Sequence, residues 1–240
     1  MKNPQSGLPI DSALPALRAA VAAHANVVLQ APPGAGKSTG VPLALLAEKS
    51  LQSGKIVMLE PRRLAARAVA TRMAQLLGES VGQTVGFRTR LESRTSKQTR
   101  VEVVTEGILT RWLQRDATLE GVAMVIFDEF HERSLNADLG LALCLEAQAQ
   151  VRDDLRILVM SATLDTAAVA QLLGNAPVVS AEGKAFDVET RWGAANVASR
   201  GQREIDIAIR TARTIAQAFE QELGDVLAFL PGQAEIRRAQ

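Results

Sequence analysis

The chain has 240 residues, 47% of them hydrophobic and 22% charged, and a net charge of +1. This balance suits one large folded domain or one and a half, and excludes a disordered chain or a uniformly basic nucleic-acid binder. No apolar run approaches the ~20 residues that span a bilayer, and no apolar signal core opens the chain; the single cysteine excludes an internal disulfide, so a cytoplasmic setting is expected.

Residues 1–10 are polar, carry Pro and Gly, and read as a lead-in. Asp11 or Ser12 can cap a helix whose Leu14, Leu17 and Val21 recur at helical spacing. Val27-Val28-Leu29 then runs as a buried strand into residues 31–39, Ala31-Pro32-Pro33-Gly34-Ala35-Gly36-Lys37-Ser38-Thr39. Gly34 and Gly36, on either side of Ala35, allow the backbone to turn its N–H groups toward an anion. Lys37 supplies a cation and Ser38 a hydroxyl for Mg²⁺, while the helix that takes in Thr39 begins with unsatisfied N–H groups. This is a Walker A pattern with Ala31 at its first glycine position, and it points to a nucleoside triphosphate without saying how the nucleotide is used.

The helix after Lys37 is expected to turn Val41, Leu45 and Leu46 inward, with Pro42 in its first turns. Ile56 to Leu59 is a continuous apolar run of the kind found in strands buried on both faces. Pro61-Arg62-Arg63 opens a helix with Val69, Met73, Leu76 and Leu77 on one face. Short strands follow at Thr84 to Phe87 and Val101 to Val104, then Thr105-Glu106-Gly107 and a helix with Ile108, Leu109, Trp112 and Leu113. Val122 to Phe127 is the strongest strand signal, and it ends abruptly in Asp128-Glu129-Phe130-His131-Glu132-Arg133. A helix with Leu135, Leu139 and Leu143 comes next, then the strand Arg156 to Met160 and Ser161-Ala162-Thr163. Cys144 lies in the apolar run of that helix and reads as a core residue rather than a nucleophile.

Alternating strands and helices of these lengths predict an α/β fold with a mainly parallel sheet. Ligands of such sheets gather at the carboxyl ends of the strands, where residues 31–39, 128–133 and 161–163 all fall. From Gly174 to Lys184 the composition turns to Pro, Gly, Asn and Ser, and residues 176–185 read as a linker. Phe186 to Trp192 alternates as a strand; a helix with Ile205, Ile209, Ala212, Ala216 and Phe219 follows, then a strand at Val226 to Leu230 and a helix after Pro231-Gly232. Residues 186–240 thus read as the opening of a second domain.

Asp128 follows a buried strand, where an aspartate can hold Mg²⁺ through water beside a triphosphate. Glu129 projects differently and can reach an attacking water, and both roles answer what phosphoryl transfer asks of a protein. Hydrolysis does not itself need His131, whose expected role is a hydrogen-bond relay from the nucleotide site to a moving neighbour. Between Arg62 and Arg100 there are nine basic residues, Arg88 among them, against two acidic ones, which makes either a phosphate-contact face or a solvated one.

In order and separation, residues 31–39, Pro61-Arg62-Arg63, Thr105-Glu106-Gly107, residues 128–133 and Ser161-Ala162-Thr163-Leu164-Asp165 resemble motifs I, Ia, Ib, II and III of the DEAH-type RNA helicases of superfamily 2. Phe130, where most members have Ala, and the Ala31-Pro32-Pro33-Gly34-Ala35-Gly36 loop look most like the bacterial HrpB-type helicases. The resemblance implies a RecA-like, P-loop NTPase domain over residues 11–175 and the start of a second RecA-like domain over residues 186–240. It implies that Lys37 and Ser38 bind phosphates and Mg²⁺, that Asp128 holds the metal, and that Glu129 positions water. It also implies that Ser161 and Thr163 couple nucleotide state to strand movement, and that Arg62, Arg63 and Thr105 touch a single strand, RNA ahead of DNA. Arg72 takes the place of an arginine stacked on the base, which would accept ATP and other nucleoside triphosphates alike; its alternative is a solvent-facing helix residue. The family's Gln-Arg-x-Gly-Arg pattern is not in this sequence, so a helicase fragment that hydrolyses poorly alone is expected. The competing reading is a non-motor P-loop ATPase switch that governs a protein partner.

Overall fold

The structure, a computed structural model, describes residues 7–162, 166–183, 187–193 and 206–240. The chain divides into two compact units, Met1–Ala185 and Phe186–Gln240.

The first unit is built on one sheet. Its strands are β1 (Asn26–Gln30), β2 (Lys55–Leu59), β3 (Val85–Arg88), β4 (Ser93–Arg94), β5 (Val101–Val104), β6 (Val122–Phe127), β7 (Arg156–Ser161) and β8 (Val178–Ser180). They lie in the order β4-β3-β5-β2-β6-β7-β1-β8, and every pair is parallel except β3 with β4. All six residues of β6 are buried, as are Val27 to Leu29 of β1 and Ile56 to Leu59 of β2. Strands covered on both faces need apolar side chains in both directions, which is why these runs are continuous rather than alternating.

One face carries α1 (Leu14–Ala23), α2 (Lys37–Leu45) and α3 (Arg63–Leu76), which enclose Leu29, Met58, Phe87 and Met124. The other carries α4 (Glu106–Arg115), α5 (Leu135–Gln150) and α6 (Thr166–Leu172), over Val28, Leu59, Phe127 and Ile157. Parallel neighbours need crossovers, and right-handed crossovers place helices on both faces. The loop after β1, Pro61-Arg62-Arg63 after β2, Thr105 after β5, the acidic run after β6 and Ser161 at the end of β7 therefore share one rim of the sheet.

Several expectations are corrected. Residues 8–10 are no loose lead-in: Pro9–Ser12 forms a short 3₁₀ turn, Ile10 is fully buried, and its N–H donates to the Ala35 carbonyl at 3.0 Å. The linker assigned to residues 176–185 contains β8, an edge strand on β1. In α3 the inner stripe is Ala66, Ala70, Met73 and Ala74, with Val69, Leu76 and Leu77 only partly buried. In α5 the buried residues are Ala137, Gly140, Leu141, Cys144 and Ala147, while Leu135 is 84% exposed. Small residues face inward because α5 lies close to its neighbours: a Cβ on Gly140 would already touch Leu109 and Phe127 at 3.6 Å.

The second unit contains α7 (Ile207–Gln221) and α8 (Gln233–Ala239), where helices were expected. Residues 187–192 and 226–230 are not strands, because among the described residues neither has a sheet partner to complete its backbone hydrogen bonds. Phe186 and Ile205 lie outside the described residues. Among the described residues, no helix is long and apolar enough to cross a membrane.

Candidate active site

The loop after β1 is held in a conformation that ordinary residues avoid. Gly34 and Gly36 have φ of 76° and 88°, in the left-handed region that a Cβ disfavours. At Gly36 space matters too, since a Cβ there would come within 2.6 Å of Leu8 Cδ1. The loop is tied down at both ends: the Ala31 N–H donates to the Ser161 carbonyl at 3.0 Å, and the Ala35 carbonyl accepts from Ile10. Because α2 begins at Lys37, the N–H groups of Lys37, Ser38 and Thr39 belong to its unsatisfied first turn. The strand, the two glycines and the helix start thus make an anion cradle closed by a lysine.

Across β7, at the end of β6, lies the acidic turn. Asp128 is buried, its Oδ1 accepts from the Glu129 N–H at 2.9 Å, and its Oδ2 has no hydrogen-bond partner. Burial pushes the carboxyl up to about 6, with Glu129 adding to the shift and the Ser38 hydroxyl and Lys37 charge opposing it. An orphaned oxygen beside a hydroxyl fits a hard divalent cation. Among the described residues no group of three or more His, Cys, Asp or Glu is placed to hold a metal, so such an ion would complete its shell with phosphate oxygens and water.

Glu129 has φ 50° and ψ 34°, and this left-handed turn aims its carboxylate back across the cleft. One oxygen accepts from Lys37 Nζ at 2.8 Å and the other lies 3.4 Å from His131 Nε2. His131 Nδ1 accepts the Ala162 N–H at 3.3 Å, so the ring proton of the neutral imidazole sits on Nε2, facing Glu129. A continuous path of polar contacts therefore runs from the P-loop lysine through Glu129 and His131 to the residue after β7. Phe130, buried edge-on against Phe127 at 6.1 Å, anchors the turn that presents these groups.

Sequence reasoning missed Glu60. It ends β2 as Asp128 ends β6, and the register pairs Leu59 with Phe127, which brings the two acids side by side. Glu60 is 4% exposed, and its carboxyl is pushed up to about 7, first by burial and then by Asp128, Glu129 and Glu132, against the Arg62 backbone N–H. The signal was two apolar runs each ending in an acid, legible only once their strands are known to be neighbours.

Beyond β2 the rim turns basic. Arg62 pairs with Glu132 at 2.7 Å, Arg63 opens α3 in solvent, and Thr105 is half-buried at the start of α4. Arg88 is not brought to that group. Its Nε donates to the buried Glu102 at 2.8 Å and its guanidinium lies 5.6 Å over the Trp112 ring, in a cavity of about 420 Å³ beside α4. Glu102 arrives from the adjacent strand, and the pairing turns Arg88 away from the rim. Arg72 is exposed on α3, which packs beside α2. Ser161 closes β7, and Thr163 lies outside the described residues.

A phosphate cradle on β1, a carboxylate with an orphaned oxygen on β6 and a relay to β7, on one rim of a parallel sheet, define a P-loop NTPase of RecA-like fold. Residues 12–172 match the DEAD/DEAH box helicase family, and the chain belongs to it. It is 52% identical over 235 residues to the Escherichia coli ATP-dependent RNA helicase HrpB, covering 98% of this chain and 28% of that protein. It is 33% identical over 230 residues to the E. coli ATP-dependent RNA helicase HrpA, 96% of this chain and 18% of the relative. The crystal structure of the E. coli DEAH/RHA helicase HrpB superimposes with a TM-score of 0.88 at 51% identity, over 97% of this chain and 29% of that one. The chain thus spans less than a third of the length of these relatives.

Proposed function

We propose that this chain is the nucleotide-hydrolysing part of an ATP-dependent RNA helicase, in which ATP turnover drives movement along or remodelling of a single strand. The observation that carries the reading is the path Lys37, Glu129, His131, Ala162, which joins the phosphate cradle to the end of β7. In this reading Gly34 to Thr39 hold the phosphates, and Asp128 and Ser38 hold Mg²⁺. The ion, when bound, neutralises charge on the phosphates. A phosphate competes with Glu129 for the Lys37 ammonium; once released, Glu129 orients the attacking water. His131 senses that release and passes it to Ser161 and Thr163. Arg72 stacks on the base, so other nucleoside triphosphates serve as well.

Arg62, Arg63 and Thr105 hold the sugar-phosphate backbone, RNA ahead of DNA; Arg88, turned into its cavity, is left out. Residues 11–175, with the edge strand β8 added to them, form the first RecA-like domain, and 186–240 the opening of a second, whose remainder would supply further groups to the site. A cytoplasmic location belongs to the same reading. The test is ATP turnover by the full-length protein with single-stranded RNA or DNA across a salt series. RNA is expected to stimulate turnover with strong salt dependence, and Glu129→Gln to lower it by about 10²- to 10³-fold, the scale of losing one positioned group. If neither strand binds or stimulates, the non-motor switch replaces this reading.

A further inference from the structure

Strand β5 reads Val101-Glu102-Val103-Val104, and its one charged residue is buried with the valines. Glu102 is in register with Val57 of β2 and Gly86 of β3, on the face that α4 covers, and its side chain is only 2% exposed. Cations take both of its oxygens: Oε1 accepts from Arg88 Nε at 2.8 Å and Oε2 from Lys55 Nζ at 3.2 Å. An apolar residue there would often serve stability as well or better, because a buried ion pair seldom outdoes apolar packing of the same volume. What the carboxylate supplies is placement: it holds an arginine and a lysine from the two flanking strands side by side.

These two cations line the cavity of about 420 Å³ beside α4. Both side chains are 37% exposed, and both keep donors to offer. Lys55 has N–H groups beyond the one on Glu102, and Arg88 Nη1 has no partner among the described residues, while Nη2 reaches Thr95 Oγ1 at 3.4 Å. Arg115 of α4 lines the same cavity, is exposed, and makes no ion pair among the described residues. The acids of the lining oppose these cations weakly. Glu102 is held by its two partners, Asp116 Oδ1 accepts from the Thr118 N–H at 2.9 Å and from its hydroxyl at 2.6 Å, and Glu120 is exposed to screening by water and salt. The remaining wall is apolar, with Trp112 half-buried and Leu119 and Val122 buried.

A hollow of this size, apolar on one side and with a few convergent polar groups on the other, has the form of a small-molecule site. The uncommitted N–H groups select an oxyanion, and the indole and leucine select an apolar body attached to it. We propose that this cavity binds a small organic oxyanion, a carboxylate or a phosphate monoester on an apolar body, with Lys55, Arg88 and Arg115 on the charge and Trp112 and Leu119 on the body. None of residues 31–39 or 128–133 lines it, so the site is separate from the nucleotide cradle and stands independently of the helicase reading.

The test is calorimetric titration of the full-length protein, with ADP filling the nucleotide site, by phenyl phosphate, benzoate, benzyl alcohol and inorganic phosphate in turn. Phenyl phosphate or benzoate is expected to bind with a Kd of about 0.1–1 mM, the affinity usual for so few atoms, and the tighter of the two names the head group. Benzyl alcohol has the ring without the charge and inorganic phosphate the charge without the ring; each is expected to bind at least about tenfold more weakly. Arg88→Ala with Arg115→Ala, and separately Trp112→Leu, should each weaken the tighter anion by about tenfold. Melting curves matching the parent's certify folding, and Arg115→Ala alone, at an exposed residue, replaces the double variant if that one fails to fold. Unchanged affinity in both variants overturns the site, as does the absence of saturable binding by either anion. Benzyl alcohol or inorganic phosphate binding as tightly as the ring-bearing anions overturns the ligand class.

Discussion

Glu60 is buried at the end of β2, with Asp128, Glu129 and Glu132 as its neighbours, and ionising it there is costly. Its carboxyl rises from 4.5 to about 7, so folding takes up a proton between those values. For a raised acid the cost is absent below about pH 4.5, grows as pH rises, and is full above about pH 7. Glu60→Gln is therefore expected to stabilise the fold at pH 8 by on the order of 2–3 kcal/mol and to lose that advantage by pH 4.5. Urea unfolding of both proteins at the two pH values checks it, and an equal difference at both would contradict the assignment. Lys37, Asp128 and Glu129 were legible in the sequence because their motifs encode a local strand-to-turn geometry. Glu60 and Arg88 were not, because each is defined by a partner from another strand.

At the scale of elements, α5 shows how a helix is fixed at its start. Ser134 Oγ accepts from the Ala137 N–H at 3.0 Å and donates to Glu106 Oε2 at 2.6 Å, so one hydroxyl caps α5 and ties it to the first turn of α4. Ser134→Ala is expected to cost about 1–2 kcal/mol, measured by chemical denaturation, because it removes a cap and leaves the Glu106 carboxylate without that donor. A change below about 0.3 kcal/mol would show that the hydroxyl does neither. The existence of α5 was legible from its length and its setting between two strands, but its phase was not. Leu135, Leu139 and Leu143 form the more conspicuous stripe, yet a close approach selects Ala137, Gly140 and Ala147. The three residues of β8 carried too little periodicity to be told from a loop, and the apolar run at 226–230 looked like a strand because sequence cannot show whether a partner is present.

Taken whole, the first unit divides its rim by chemistry. The ends of β1, β7 and β6 carry the cradle, Ser161 and the acidic turn, while the ends of β2, β5 and β3 carry the basic groups, with Glu60 and the Arg62–Glu132 pair at the border. The two compact units differ in depth. β1, β2, β6 and β7 are sealed on both faces, whereas among the described residues of the second unit only Ala208 is buried. Amide exchange is expected to be slowest in those four strands and faster by orders of magnitude in α7 and α8, since local opening is cheap where little apolar surface is covered. Protection of α7 equal to that of β6 would refute this. The lone cysteine adds a use of its own. Cys144 is fully buried in α5, and burial pushes its thiol up to about 12, so a thiol reagent reaches it only when α5 leaves the sheet. Labelling is then a stopwatch for the opening of the sheet, with no engineered reporter needed. A nucleotide that binds the folded site at 100 times its Kd should slow that stopwatch by about 100-fold, which would register binding even in a chain that hydrolyses nothing.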